Sequence, residues 1–171
     1  MLYLLDASVL ISAHAQYYAI DRVPEYWEWL RHVGAAGRVK IPIEIYEEIK
    51  DGPAADDPLF AWLGQDGCRA DILLPDAIDP AAVQSVIVGG YAEDLTDDEV
   101  ESMGRDPFLI AHGRAAADRC VVTVETSKPS RTRHRRKVPD VCGSLGVRCC
   151  DPFAFIRELG FATDWKARLA R

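Results

Sequence analysis

The sequence predicts an α/β fold, a central parallel sheet flanked by helices, and three observations carry that expectation. Short apolar runs, such as Leu2 to Leu5 and Cys120 to Val124, each end in an acid. Stretches with helical spacing alternate with these runs, and several open on a capping residue followed by proline, as at Asp106-Pro107 and Asp151-Pro152. The chain has 171 residues, 49% of them hydrophobic, which suits one domain spanning residues 1–171 with its own core.

Leu2 to Leu5, stopped by Asp6, is too uniformly apolar for an edge strand and reads as a strand buried on both faces. Ser8 is placed to cap a helix beginning at Val9. Pro24 opens a second helix that runs to Val33, with Tyr26, Trp27 and Leu30 inward, before Gly34 and Gly37 break it. Val39 to Ile41 forms the next strand. Pro42 leads into a helix from Ile43 to Lys50, closed by Asp51-Gly52-Pro53. In the middle third, Leu59 to Leu63 and Ala81 to Val88 read as helical and Ile72 to Leu74 as a strand. Thr96 to Glu99 matches the capping-box pattern ahead of Val100 and Met103. Asp106 then reads as the cap of a helix running to Asp118, Cys120 to Val124 as a strand ending in Glu125, and Val147 to Cys149 as a last strand. Asp151 caps a helix from Phe153 to Leu159.

No apolar stretch approaches the roughly 20 residues of a membrane span, and the amino terminus lacks the basic region of a secretory signal, so a cytosolic protein is expected. The five cysteines, Cys68, Cys120, Cys142, Cys149 and Cys150, are odd in number and form no CxxC pair, which argues for reduced thiols and against a disulfide framework or a zinc knuckle. A net charge of −7 by itself argues against a protein that coats nucleic acid through bulk positive potential. The charge is unevenly placed, however. Lys128, Arg131, Arg133, Arg135, Arg136 and Lys137 fall in one run without an acid, in what reads as a loop insertion at residues 126–141. Apart from His134 the run has no aromatic ring, so it is expected to hold an RNA backbone with little base stacking, or else to be a solvated charge block. Neither GxxxxGK[ST] nor GxGxxG is present, which leaves nucleotide hydrolysis unsupported.

An acid that closes an apolar strand of a parallel sheet projects into the crevice where such sheets bind ligands. Asp6 and Glu125 occupy that position, and Asp106, at a helix start, faces the same rim. On a helical wheel centred on Ile45, Glu47 lies about 160° away and points to water, Glu48 about 60° away at the border of the apolar stripe, and Glu44 about 100° away. A carboxylate at that border costs desolvation unless it is paired or binds a cation, so Glu48 is the preferred fourth acid and Glu44 the reserve. Four such charges repel one another unless a cation is present, and Mg²⁺ or Mn²⁺, hard cations with oxygen ligands, match the donor type. Such an ion can bridge a phosphodiester and lower the pKa of the attacking water.

Asp6 in YLLDASVLI, Glu48 in IPIEIYEEI, Asp106 in DPFLIAHGRA and Glu125 in VVTVE resemble, in chain order, the four acidic motifs of PIN-domain nucleases. The likeness is greatest to a PIN subfamily in which a threonine-and-glutamate strand end precedes a basic stretch and a segment such as Lys137-Val138-Pro139-Asp140-Val141-Cys142. It implies a PIN-like, Rossmann-like sheet, Mg²⁺ or Mn²⁺ dependence, cleavage of single-stranded RNA, and frequent use as the toxin of a bacterial toxin-antitoxin pair resembling VapC. The partners it implies are an RNA substrate, a cognate antitoxin and a possible homodimer. The fourth acid is Glu125 where many PIN nucleases have Asp, and Asp140 is an alternative. Ser8 and Thr123 match hydroxyl positions of the family and can bond a carboxylate or a water.

Asp6 and Asp106 each have a plain alternative as helix caps. Asp97, Asp98, Glu99 and Glu101 read as a solvated helix face, and His14, His32, His112 and His134 lack metal-binding spacing. A haloacid-dehalogenase phosphotransferase wants a second Asp where Ser8 stands, and a receiver domain wants paired acids. The alternative function is a non-catalytic PIN-like module that binds RNA or protein; it predicts a missing acid, and all four are present.

Overall fold

The computed structural model describes residues 1–50 and 57–170. Its centre is a five-stranded, all-parallel sheet in the order β3-β2-β1-β4-β5, formed by β1 (Leu2–Leu5), β2 (Val39–Pro42), β3 (Leu73–Leu74), β4 (Arg119–Val122) and β5 (Arg148–Cys150). Leu4 and Leu5 of β1 and Val121 and Val122 of β4 are fully buried, which explains why these strands read as continuous apolar runs. Register pairs Leu5 with Val122, so β1 and β4 end side by side.

The strands alternate with helices: α1 (Ala7–Ser12), α2 (Pro24–Ala35), α3 (Ile43–Lys50), α4 (Pro58–Leu63), α5 (Cys68–Ile72), α6 (Pro80–Val86), α7 (Asp97–Ser102), α8 (Asp106–Arg114), α9 (Val138–Leu145), α10 (Pro152–Glu158) and α11 (Trp165–Leu169). Helices α2 and α5 pack on each other and on β2, while α8 packs on β1, β4, α6 and α9. Gly113 lets α8 lie directly on β4, because a Cβ there would stand 2.7 Å from Val121 Cγ2. Tyr26, Trp27 and Trp29 of α2 enter an aromatic core with Trp62, Phe155 and Phe161. Of the amino-terminal aromatics, Tyr17 remains exposed. All five cysteines are free thiols, and no helix among the described residues is long and apolar enough to cross a membrane.

Most expected elements are found within two residues of their predicted limits, and the departures have local causes. Ile72 closes α5 rather than opening β3. The helix after Asp106 ends at Arg114, four residues early, and a turn leads into β4. The expected loop at 126–141 is shorter than predicted, because Pro139 sits in the first turn of α9, which begins at Val138. The expected stop at Asp51-Gly52-Pro53 lies outside the described residues.

Candidate active site

The strand order reverses between β1 and β4, since β2 and β3 extend the sheet on one side and β5 on the other. A crevice at that reversal, beyond the carboxyl ends of the strands, is where open parallel sheets take their ligands. Asp6 follows β1 directly, and Thr123 follows β4. The Asp6 amide donates to the Val122 carbonyl at 3.0 Å, which carries the pairing one residue beyond the strands. The buried Thr123 hydroxyl donates to Asp6 Oδ2 at 2.7 Å and accepts from the Glu125 amide at 3.2 Å.

Ser8 was the expected cap of α1, but Asp6 occupies the cap position. Its extended backbone lets the helix begin at Ala7, and its Oδ1 accepts from the Ser8 amide at 3.4 Å. Ser8 instead turns its hydroxyl onto Asp6 Oδ2 at 2.6 Å. Asp6 is therefore both the cap and the carboxylate on which two hydroxyls converge, at 8% exposure.

Asp106 is not the cap of α8. Gly104 takes a left-handed turn (φ 56°), which puts Arg105 at the cap and Asp106 at the first helical position. The Asp106 carboxyl is pushed up to about 7, first by loss of water and then by the charges of Asp6, Glu125 and Glu48, with Lys137 opposing. Residues from four distant parts of the chain thus act on one side chain. Glu48 also titrates above the usual carboxylate range: partial loss of hydration is the larger cause and the charge of Asp6 the next, with Arg105 opposing.

The helical wheel misjudged the two flanks of α3. Glu48 stands exposed, whereas Glu44 is buried, because α8 packs over that flank and brings His112 with it. Glu44 Oε2 lies 2.9 Å from His112 Nε2, and Oε1 accepts from the Ile78 amide at 3.2 Å. Glu44 ties α3 to α8 and to the segment before α6. Asp140 is likewise occupied: it accepts from the Ser127 hydroxyl and, at 2.8 Å, from the Lys128 amide, and the Ser127 bond leads the causes that hold it below the usual range. Glu125, by contrast, is among the acids that act on Asp106. Its Oε1 pairs with Lys137, and its Oε2 accepts from the Val138 amide at 2.9 Å.

The basic run divides in two. Arg133 donates to both Glu99 oxygens, at 3.0 and 2.7 Å, and to Asp94 at 2.7 Å, while His134 approaches Glu99 at 2.9 Å. Arg136 donates to the carbonyls of Gly90 and Asp140, and Lys137 pairs with Glu125. Lys128, Arg131 and Arg135 are exposed. The acids expected to be a plain solvated face therefore include Glu99, which anchors the run.

Two features escaped sequence reasoning. Beside Glu48 lies a pocket of about 210 Å³ lined by Ile11, His14, Ile49, Leu59 and Phe60. The Tyr91 hydroxyl is buried without a hydrogen-bond partner among the described residues, and after burial the charges of Asp106 and Glu125 are among those that raise its pKa further. Only the unusual Gly89-Gly90-Tyr91 sequence hinted at it.

Among the described residues no group of three or more His, Cys, Asp or Glu side chains is gathered closely enough to hold a metal ion. The charges of Asp6, Glu125 and Glu48 act on Asp106, and that of Asp6 on Glu48. A centre of this kind, with oxygen donors only, suits a hard cation that takes one or two carboxylates and keeps several waters. The crowding of charge at Asp106 and the unpartnered hydroxyl of Tyr91 both fit such a group.

Comparison with curated proteins and with solved structures found no match. A family model described as a domain of unknown function (DUF4411) matches residues 3–163, and the chain belongs to that family.

Proposed function

We propose that this protein is a divalent-metal-dependent endoribonuclease of PIN-like type, with Asp6, Glu48, Asp106 and Glu125 as its acidic centre. The observation that carries the reading is the convergence at Asp106: burial first, and then the charges of Asp6 after β1, Glu125 after β4 and Glu48 of α3, push its carboxyl up to about 7, at the reversal point of the sheet. Such crowding costs free energy in the ionised state and is relieved by a cation. Bound there, Mg²⁺ or Mn²⁺ supplies charge neutralisation at a phosphodiester and a water of lowered pKa.

The chain's own residues have separable tasks in this reading. Thr123 and Ser8 fix the Asp6 carboxylate by hydrogen bonds of 2.7 and 2.6 Å, so that it is oriented before any ligand arrives. Asp106 would give up its proton to serve such a cation, because an added positive charge would oppose the effect of its acidic neighbours. Lys137, which pairs with Glu125 and whose charge acts on Asp106, would meet the phosphate. Lys128, Arg131 and Arg135 lie exposed for the RNA backbone, and the apolar pocket beside Glu48 offers a surface for a flanking base. The role of toxin in a type II toxin-antitoxin pair, with a cognate antitoxin, rests on the resemblance of the acidic motifs.

The test is cleavage of single-stranded RNA by purified protein with and without Mg²⁺ or Mn²⁺, for the wild type, Asp6→Asn and Asp106→Asn. Cleavage that requires the cation and is lost in both folded variants supports the reading. Metal-independent cleavage, or full activity in either variant, would overturn this metal centre, and no cleavage by a wild type that still binds RNA would replace the reading with a binding module.

A further inference from the structure

Tyr91 has a polar atom that the fold does not satisfy. Its side chain is more than nine-tenths buried, and its hydroxyl has no hydrogen-bond partner among the described residues. A buried hydroxyl left unpaired is destabilising, and phenylalanine would fill the same volume without that cost. The position is nevertheless closely held. Tyr91 ends the π-helical turn Ile87–Tyr91 that continues α6, and such turns are frequent at functional sites. Gly90 brings this turn directly onto α9, since a Cβ there would stand 2.6 Å from Val141 Cγ1. Arg136 of the basic run clamps the Gly90 carbonyl from the other side. The ring is thereby held in the interior, where burial raises the pKa of its hydroxyl most and the charge of Asp106, then those of Cys142 and Glu125, raise it further.

Resting on the metal-centre reading above, we propose that Tyr91 is a positioning residue of that centre, its hydroxyl hydrogen reserved for an oxygen of water or phosphodiester that enters beside Asp106 and Glu125 when a divalent cation is loaded. No atom of the described residues accepts its hydrogen, and on this account the acceptor belongs to the loaded state. Its task is to hold that oxygen, and through it the Asp106 carboxylate, in one orientation. On this account Arg136 serves the centre indirectly, by holding the turn that carries Tyr91 rather than by touching RNA.

The experiment is a Mn²⁺ titration of wild type and Tyr91→Phe, followed by the electron paramagnetic resonance signal of free Mn²⁺, together with thermal unfolding of each protein without metal. Loss of an outer partner of a metal site weakens affinity by about 10- to 100-fold. Tyr91→Phe is expected to show a loss of that order while its metal-free unfolding midpoint stays level or rises, the signature of a hydroxyl with no partner inside the fold. Equal Mn²⁺ affinity in the two proteins overturns the assignment and leaves the metal centre standing. A lower metal-free midpoint for Tyr91→Phe also overturns it, since the hydroxyl would then have a structural partner. A wild type that binds no Mn²⁺ overturns the metal-centre reading itself, and this inference with it.

Discussion

The Thr123 hydroxyl donates to Asp6 at 2.7 Å, and in accepting from the Glu125 amide it joins the end of β1 to the segment that follows β4. One buried side chain thus fixes the first acid of the centre relative to the last. The Asp6 carboxylate and the Glu125 backbone cannot shift far apart without breaking a hydrogen bond of that buried hydroxyl.

Thr123→Val keeps the shape of the side chain and removes the donor. It leaves an oxygen of a buried carboxylate short of a partner, so a loss of about 1–3 kcal/mol in urea unfolding is expected, with most of it recovered in Thr123→Ser. Equal stability of Thr123→Val and wild type would show that the bond contributes nothing to the fold.

The raised Asp106 carboxyl sets a pH dependence. An unfolded aspartate titrates near 4 and this one at about 7, so between those values the folded chain holds a proton that the unfolded chain has released. Stability therefore falls as pH rises through that window, with no penalty below it and the full penalty above it. Asp106→Asn removes this component, and the difference in unfolding free energy between wild type and variant should change by a few kcal/mol from pH 4 to pH 8. The same proton should be released when Mn²⁺ binds at pH 6, detectable by calorimetry in buffers of different ionisation enthalpy.

Glu44 and Glu48 stand one helical turn apart on α3 and should respond oppositely to substitution. Glu44→Ala strands His112 and the Ile78 amide, and its unfolding midpoint should drop sharply, as expected when a buried pair loses one member. Glu48→Gln removes an exposed charge that faces Asp6, so it should fold with at least wild-type stability and bind Mn²⁺ more weakly. A Glu44→Ala protein that folds normally but loses Mn²⁺ would exchange their roles.

Lys137 opposes the raised carboxyl of Asp106 and pairs with Glu125. Lys137→Met removes a positive charge that competes with the cation, so Mn²⁺ should bind several-fold more tightly while RNA cleavage falls. Tighter metal binding with unchanged cleavage would deny Lys137 any contact with the substrate.

The two parts of the basic run are separable by salt. Replacing Lys128, Arg131 and Arg135 by Ala should leave the unfolding midpoint alone and reduce the salt slope of RNA binding by up to about 2, at roughly 0.7 per phosphate contact. Arg133→Ala should instead lower the midpoint, because Glu99 and Asp94 lose their shared partner. A salt slope changed only by Arg133→Ala would reverse the assignment.

Much of this architecture was legible locally. Leu2–Leu5 and Arg119–Val122 could be placed because strands buried on both faces need continuous apolar runs, and Asp151 because a cap followed by proline is a local device. Local signals also misled. Asp106 carries the same cap-then-proline pattern as Asp151, yet the turn at Gly104 moves the cap to Arg105. The wheel of α3 ranked Glu44 as the less buried acid because a wheel contains only its own helix, and α8 decides which flank is covered.

The sequence by itself determined the alternation of strands and helices, the all-parallel sheet that follows from it, and the acids that end the strands, because periodicity, capping and strand length are set by near neighbours. Only the tertiary structure decided which charges share a site: that Glu44 is locked to His112, that Asp140 holds a loop, that the basic run is partly an internal clamp, and that the Tyr91 hydroxyl, on which the charge of Asp106 acts, is buried without a partner among the described residues. Those outcomes depend on contacts between residues tens of positions apart, and the cost of burying a polar group is settled by the partner that packing brings to it.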